Sequence, residues 1–373
     1  MSQDIRDFVP ASCRLLAFGE PTHQEPAFGQ VRNELFARLV ECGFRSIALE
    51  TDRVAALAVN EFVQNGTGTL DEVMDGGFSH GFGNLDANRQ LVAWMRDYNT
   101  NETAEQRLSF HGFDTPIEMA SAPSPRCYLE FARDYLQLDI DLADLIGDDE
   151  QWSRAEAIMD PAASIGATVA AERLRVIADD MLTVLYARAP ELIAATTRAE
   201  WVSAQTHLAA GLGLLRYHKQ SADRQLDEPA RISRMLAVRD AVMAQNLLDI
   251  HQAETPRGAT FIFAQNRHLQ RNPSNWTLAG MDLTWFSAGA IVGSLLGNRY
   301  RFIAGSLGRG QVLGLPDPDP DTYEGILSSH IATWGLAMPA ALGPARTRTD
   351  TNHDYFPLDQ ATLADADTVL HIT

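Results

Sequence analysis

Short apolar runs recur along the chain, each followed at once by polar side chains: Leu15 to Phe18, Ser46 to Leu49, Leu108 to Phe113, Thr260 to Ala264 and Tyr300 to Ala304. Runs of this length, bounded by turn residues, predict buried strands. Between the first two the period lengthens to that of a helix. From Pro26 to Cys42, Phe28, Val31, Leu35 and Leu39 share one stripe, while Glu34 and Arg38 pair at the surface. Pro26 fits a first helical turn, where its missing N–H costs nothing, and Gly43 ends the helix as a left-handed cap against Phe44. Strand, helix and strand in succession make a βαβ unit, which implies parallel pairing and a right-handed crossover.

After Glu50 the pattern is helical again, with Thr51 or Asp52 as cap and Val54, Leu57, Ala58 and Phe62 inward. A glycine-rich segment from Gly76 to Gly83 interrupts, and a helix resumes from Asn88 to Tyr98. From Pro123 to Thr255 no strand pattern occurs, and Ala, Leu, Glu and Arg dominate. Strand character returns from Gly258 to Asn266, an Ala- and Gly-rich helix is expected from Met281 to Leu296, and Asp367 to Thr373 reads as a closing strand. The pattern predicts an α/β fold, a mostly parallel central sheet flanked by helices with a large all-helical insertion. The expected units are 1–122 and 256–373 as the two halves of the α/β core, with 123–255 as the insertion.

A chain of 373 residues that is 45% hydrophobic can bury a large core. No apolar run reaches a membrane span, and Asp4 and Asp7 stand where an export signal would be basic, so a cytoplasmic location without membrane attachment is expected. Cys13, Cys42 and Cys127 lack CxxC spacing and read as reduced thiols. A net charge of −19 argues against a nucleic-acid partner, whose phosphates demand Lys and Arg. Lys219, the single lysine, lies in a polar helical neighbourhood unsuited to a Schiff base.

Four polar clusters fall just past strand candidates: Glu20 with His23, then Glu50, then Asp114, then Gln265 to His268. One acidic residue in such a place is ordinarily a helix cap. Four, two of them bearing histidines, predict a shared cleft at the carboxyl edge of the sheet. An imidazole with a carboxylate three residues away suits a general base working near neutral pH. Arg32 borders the apolar stripe of its helix, either paired with Glu50 or turned into the cleft to hold an anion. His80 and His111 are candidates for the substrate pocket. Gly77-Phe78-Ser79-His80-Gly81 matches the Gly-x-Ser-x-Gly pattern of a nucleophile, but no strand precedes it, and a glycine-rich cleft loop is the better reading. No metal-binding spacing, Walker loop or dinucleotide fingerprint is present.

The segment Phe18-Gly19-Glu20-Pro21-Thr22-His23, the helix carrying Arg32, and Gly43 to Glu50 resemble the opening signature of the erythromycin esterase family, which includes proteins labelled succinoglycan biosynthesis proteins. Leu91 to Asn99, Gly112-Phe113-Asp114, Arg239 through Asn246, and Phe263 to His268 resemble its later blocks, in the same order. The resemblance covers most of the chain outside the central helices. It implies an α/β core with a helical subdomain and hydrolysis of a macrolactone ester by water, without a covalent serine intermediate. Carried over, His23 would be the general base that activates water, Glu20 and Glu50 would orient it or the substrate, and Arg32 and His268 would stabilise the intermediate or protonate the leaving alkoxide. Gln265 departs from the family, replacing the first histidine of the last block with a neutral amide.

The expected activity is therefore hydrolysis of an ester or lactone bond of a natural product, with catalytic residues His23, Glu20, Glu50, His268 and Arg32. Asp114, Gln265, His80 and His111 are expected at the substrate, and no cofactor or metal is expected. The expected partner is a small-molecule substrate. Two alternatives are a non-hydrolytic biosynthetic step using the same His/Glu pair, and sequestration of a ligand without turnover. The oligomeric state is not written in the sequence.

Overall fold

The computed structural model describes residues 2–118, 120–349 and 354–373. Its main sheet contains β1 (Leu15–Glu20), β2 (Phe44–Asp52), β3 (Ser109–Asp114), β4 (Ala259–Gln265), β7 (Tyr300–Leu307), β8 (Trp334–Ala337) and β9 (Thr368–Ile372). A separate antiparallel hairpin is formed by β5 (Ser274–Leu278) and β6 (Met281–Trp285). The main sheet runs in the order β3-β2-β4-β1-β7-β9-β8, and only the edge strand β8 is antiparallel to its neighbour. This is the expected α/β fold with a mostly parallel sheet.

Strand alternation divides the apolar residues between two faces. Leu16, Phe18, Ile47, Leu49, Phe261 and Phe263 pack with Phe28, Leu35, Leu39, Leu91 and Met95 of the helices Pro26–Glu41 and Asp86–Thr100. Leu15, Ala17, Ala48, Ile262 and Ala264 pack on the other face, against Met243, Leu247 and Ile250 of the helix Glu228–Glu254. Both faces are buried, which is why the strands read as unbroken apolar runs.

The described residues between β3 and β4 form no named strand. Leu129, Trp152, Leu174, Met181, Leu208 and Leu215 give their helices a core of their own. The last helix of the stretch, Glu228–Glu254, lies instead against the sheet and the hairpin strand β6.

Two local expectations are corrected, and one strand carries little sequence signal. Met281 does not begin a helix: Ala279 and Gly280, both at positive φ, turn the chain into the β5–β6 hairpin, and the helix runs only from Ala288 to Leu296 behind an Ser287 cap. β8 was not foreseen, because four residues at a sheet edge leave little periodic signal. Neither Thr51 nor Asp52 caps the next helix directly. β2 continues through both, and the helix starts at Ala56.

Candidate functional site

The parallel strands deliver their carboxyl ends to one edge, and the register aligns Glu20 with Gln265 on adjacent strands. Glu50 and Asp114 lie at the same ends of β2 and β3. Gly19 permits the tight approach there, since a Cβ at that position would stand 2.1 Å from Asn266 Oδ1. Asn266 in turn bridges to Gly305 of β7 through both its amide atoms.

His23 follows β1 by one turn and donates from Nδ1 to Glu20 Oε1 at 2.8 Å. That bond turns Nε2 towards Glu50 Oε1, 3.7 Å away. The His23 side chain keeps 31% of its surface exposed, so solvent reaches the ring, while Glu20, Glu50 and His268 are nearly closed off. Glu50 Oε2 accepts the backbone N–H of Gln265 at 2.8 Å. Its other oxygen is approached by three nitrogens: His268 Nε2 at 3.4 Å, His23 Nε2 at 3.7 Å and Arg239 NH2 at 3.7 Å. Each separation exceeds a normal hydrogen bond, so three nitrogens crowd one carboxylate oxygen without a direct bond to it.

Arg239 donates from Nε to Asp114 Oδ1 at 3.1 Å and from NH2 to Oδ2. His80 Nε2 meets the same Oδ2 at 3.0 Å, and its Nδ1 meets Glu118 Oε2 at 2.8 Å. His80 adopts φ 58°, a left-handed conformation uncommon for residues other than glycine, held by these two carboxylates and by its own N–H to Glu118. On the far side of Glu50, His268 Nδ1 donates to Asp240 Oδ1 at 2.9 Å.

The electrostatics follow from this alternation of signs. Burial pulls the His23 imidazole down, but the charges of Glu50 and Glu20 and the bond to Glu20 outweigh it, leaving the group pushed up to about 9. Burial raises Glu20. Burial also acts to raise Glu50, yet His268, His23 and Arg239 hold it below the usual carboxylate range. Burial likewise opposes charge on Asp114, and Arg239 and His80 overcome it, keeping the carboxylate ionised. His268 and His80 are both raised, each because carboxylate partners exceed the cost of burial.

A cavity of about 450 Å³ opens beside His23. Its apolar walls are Leu49, Phe78, Phe82 and Phe263, and its polar floor is Glu20, Glu50, Arg32 and Asn88. The size lies within the range of small-molecule sites. Phe82 separates the two imidazoles, with ring centroids 5.1 Å from His23 and 5.5 Å from His80.

Of the expected residues, His23, Glu20, Glu50 and His268 meet. Glu20, His23 and Glu50 line the cavity, while His268 and Arg239 stand behind Glu50 and do not; Arg32 lines it too but does not pair with Glu50. It is only 2% exposed, donates to the amide oxygens of Asn33 and Asn88, and stacks over Phe263. Among the described residues no carboxylate forms a salt bridge with it, and burial pulls its guanidinium down to about 10. Asp114 is fully buried and spent on Arg239 and His80, a support and not a surface a ligand meets. His111 is corrected outright: its ring pairs with Glu254 at 2.9 Å, beside Arg257 and Ser109 at the amino end of the strands. His111 precedes the end of β3 by three residues, and that distance carries it out of the cleft. Gln265, half-buried, contributes its backbone N–H to Glu50. Ser79 is bound to Thr51 and to the N–H of Asp52, and the ring of the neighbouring His80 is turned to Asp114 and Glu118 instead, so Ser79 does not carry a nucleophile's geometry.

Arg239, Asp240, Glu118 and Trp285 were missed as site residues. The signal available was an Arg-Asp pair on the buried side of a long helix, where apolar residues otherwise prevail. Among the described residues no group of three or more His, Cys, Asp and Glu could hold a metal ion.

The family model for erythromycin esterase matches residues 39–370. The fold is shared with the solved structure of a Bacillus cereus protein, at a TM-score of 0.71 and 16% identity over 99% of this chain and 91% of that one. It is likewise shared with a succinoglycan biosynthesis protein, at 0.69 and 18% over 99% and 91%. A mutant of the erythromycin esterase EreC in its open conformation aligns at 0.68 and 19%, over 99% of this chain and 93% of that one. No curated protein matches the chain.

Proposed function

The chain belongs to the erythromycin esterase family, and on that premise we propose that it hydrolyses an ester or lactone of a small natural product by attack of water activated at His23. Membership supports an esterase-type hydrolase. The finer reading rests on one observation, the three nitrogens of His23, His268 and Arg239 standing 3.4–3.7 Å from a single oxygen of Glu50.

In this mechanism the substrate enters the cavity with its carbonyl carbon above His23, and its apolar part rests on Phe78, Phe82 and Phe263. Water entering from the cavity and hydrogen-bonded to His23 Nε2 attacks the carbonyl carbon as Nε2 takes its proton. Glu20 stabilises the resulting imidazolium through Nδ1. The carbonyl π pair moves to oxygen, where Arg32 and Arg239 are the available cations. Collapse of the tetrahedral intermediate breaks the bond to the alcohol, and His268 Nε2 supplies the proton that the departing alkoxide requires. Arg32 suits the anionic step because it enters without a carboxylate partner, so an oxyanion supplies the charge it lacks.

The test is mass spectrometry on a panel of esters and lactones. The expected result is a product heavier by one water, with the rate falling by about 10²–10⁴-fold in His23→Ala. Loss of water or conserved mass across the panel would replace hydrolysis with dehydration or cyclisation. Hydrolysis undiminished in His23→Ala would remove the proposed base.

A further inference from the structure

The orientation of His268 is set by groups that make no contact with the cavity. Asp240 lies in the middle of the helix Glu228–Glu254 and is wholly buried. One of its oxygens accepts His268 Nδ1 at 2.9 Å and the N–H of Ala288 at 2.8 Å, at the first turn of the helix Ala288–Leu296. The other accepts the indole N–H of Trp285, from the hairpin strand β6, at 2.7 Å. Three elements thus converge on one carboxylate. With Nδ1 committed to Asp240, the Nε2 side of the ring faces Glu50 Oε1 at 3.4 Å. A lone pair aimed at a carboxylate oxygen would be repelled, whereas an N–H is attracted, so the arrangement favours a proton on both nitrogens.

We propose that Asp240 is a positioning residue of the reaction, holding His268 by Nδ1 so that an Nε2–H is presented to the leaving oxygen, and that Trp285 sets the strength of that hold. The inference rests on the hydrolytic reading only for the identity of the leaving oxygen. The pairing itself makes a prediction that needs no substrate. The charged groups facing the His268 ring are Asp240 and Arg239 from the long helix and Glu50 from β2; the first and third favour the imidazolium and Arg239 opposes it.

Two substitutions drive the ring in opposite directions. Asp240→Asn keeps the shape but removes the charge, and the ring loses its proton at lower pH. Trp285→Phe removes a donor from the carboxylate, concentrating its charge on His268, and the ring keeps its proton to higher pH. A residue that served only packing would produce no such divergence.

The experiment is nitrogen-15 NMR of histidine-labelled full-length protein, with the His268 signal assigned by its loss in His268→Gln. The expected result is a downward shift of the His268 titration by about 1–3 pH units in Asp240→Asn, and a smaller upward shift in Trp285→Phe. On an ester that is turned over, kcat falls at least about tenfold in Asp240→Asn with KM within about threefold, and the basic limb of the kcat/KM profile follows the NMR shift. Should Asp240→Asn fail to fold, Trp285→Phe, which retains the carboxylate, carries the test alone. Titrations that stay in place in the folded variants, or move in the same direction in both, overturn the proposal. If the NMR shifts occur but no ester is hydrolysed, the positioning role stands and the hydrolytic reading falls.

Discussion

Replacing Arg239 with Leu would strand two carboxylates. Asp114 has no exposed side-chain surface, Arg239 has 17%, and the pair is joined by Nε to Oδ1 at 3.1 Å and by NH2 to Oδ2. Glu50, also buried, loses a cation 3.7 Å away. At an effective dielectric of about 20, unit charges about 4 Å apart attract by about 4 kcal/mol, and the gain from pairing is offset by the cost of burying both. What the substitution exposes is the uncompensated remainder, about 3–5 kcal/mol for a buried pair broken on one side. His80, still 3.0 Å from Asp114, keeps the expected loss nearer the lower figure. The assay is a double-mutant cycle by denaturant unfolding at pH 7, using Arg239→Leu, Asp114→Asn and both. Each single variant is expected to lose about 3 kcal/mol, and the double variant less than the sum by about 2 kcal/mol, because removing both partners leaves no orphan charge between them. The deficit of Arg239→Leu should also shrink as pH falls: without the guanidinium the Asp114 pKa rises, and protonation then relieves the buried charge. Strict additivity, or a deficit that grows towards acid, would refute the reasoning.

A general base must be unprotonated to act, so with His23 near 9 the kcat/KM of the wild type should climb with pH by up to about tenfold per unit on its acid limb, and the loss of the His268 proton should turn it down on the basic limb; a profile already flat below pH 7 would exclude His23 as the base. Gly19→Ala places a methyl 2.1 Å from Asn266 Oδ1 and should cost about 1–3 kcal/mol, read as a lowered Tm. Ser79→Ala should leave ester hydrolysis within about threefold of wild type while costing about 1–3 kcal/mol of stability, because the N–H of Asp52 loses its acceptor; a collapse of activity in a folded variant would restore Ser79 as a nucleophile.

The apolar runs and their periods determined the strands β1 to β4 and the helix Pro26–Glu41, because burial on both faces of a parallel sheet writes itself into consecutive residues. They also placed Glu20, His23, Glu50 and His268 at strand ends, where chain direction alone brings them to one edge. Other features depended on contacts distant in sequence. Arg239 and Asp240 look like polar interruptions of a helix until that helix is laid across the sheet. Met281, Leu283 and Trp285 alternate with Asp282 and Thr284 in the period of a strand, a signal masked by the Ala- and Gly-rich run behind it, and only docking on the long helix brings Trp285 to Asp240. His111 shows the converse: a histidine on the right strand, three residues short of its end, belongs to an ion pair at the opposite edge. A local period records which side of an element is buried. The identity of the partner across that side is decided when the elements pack.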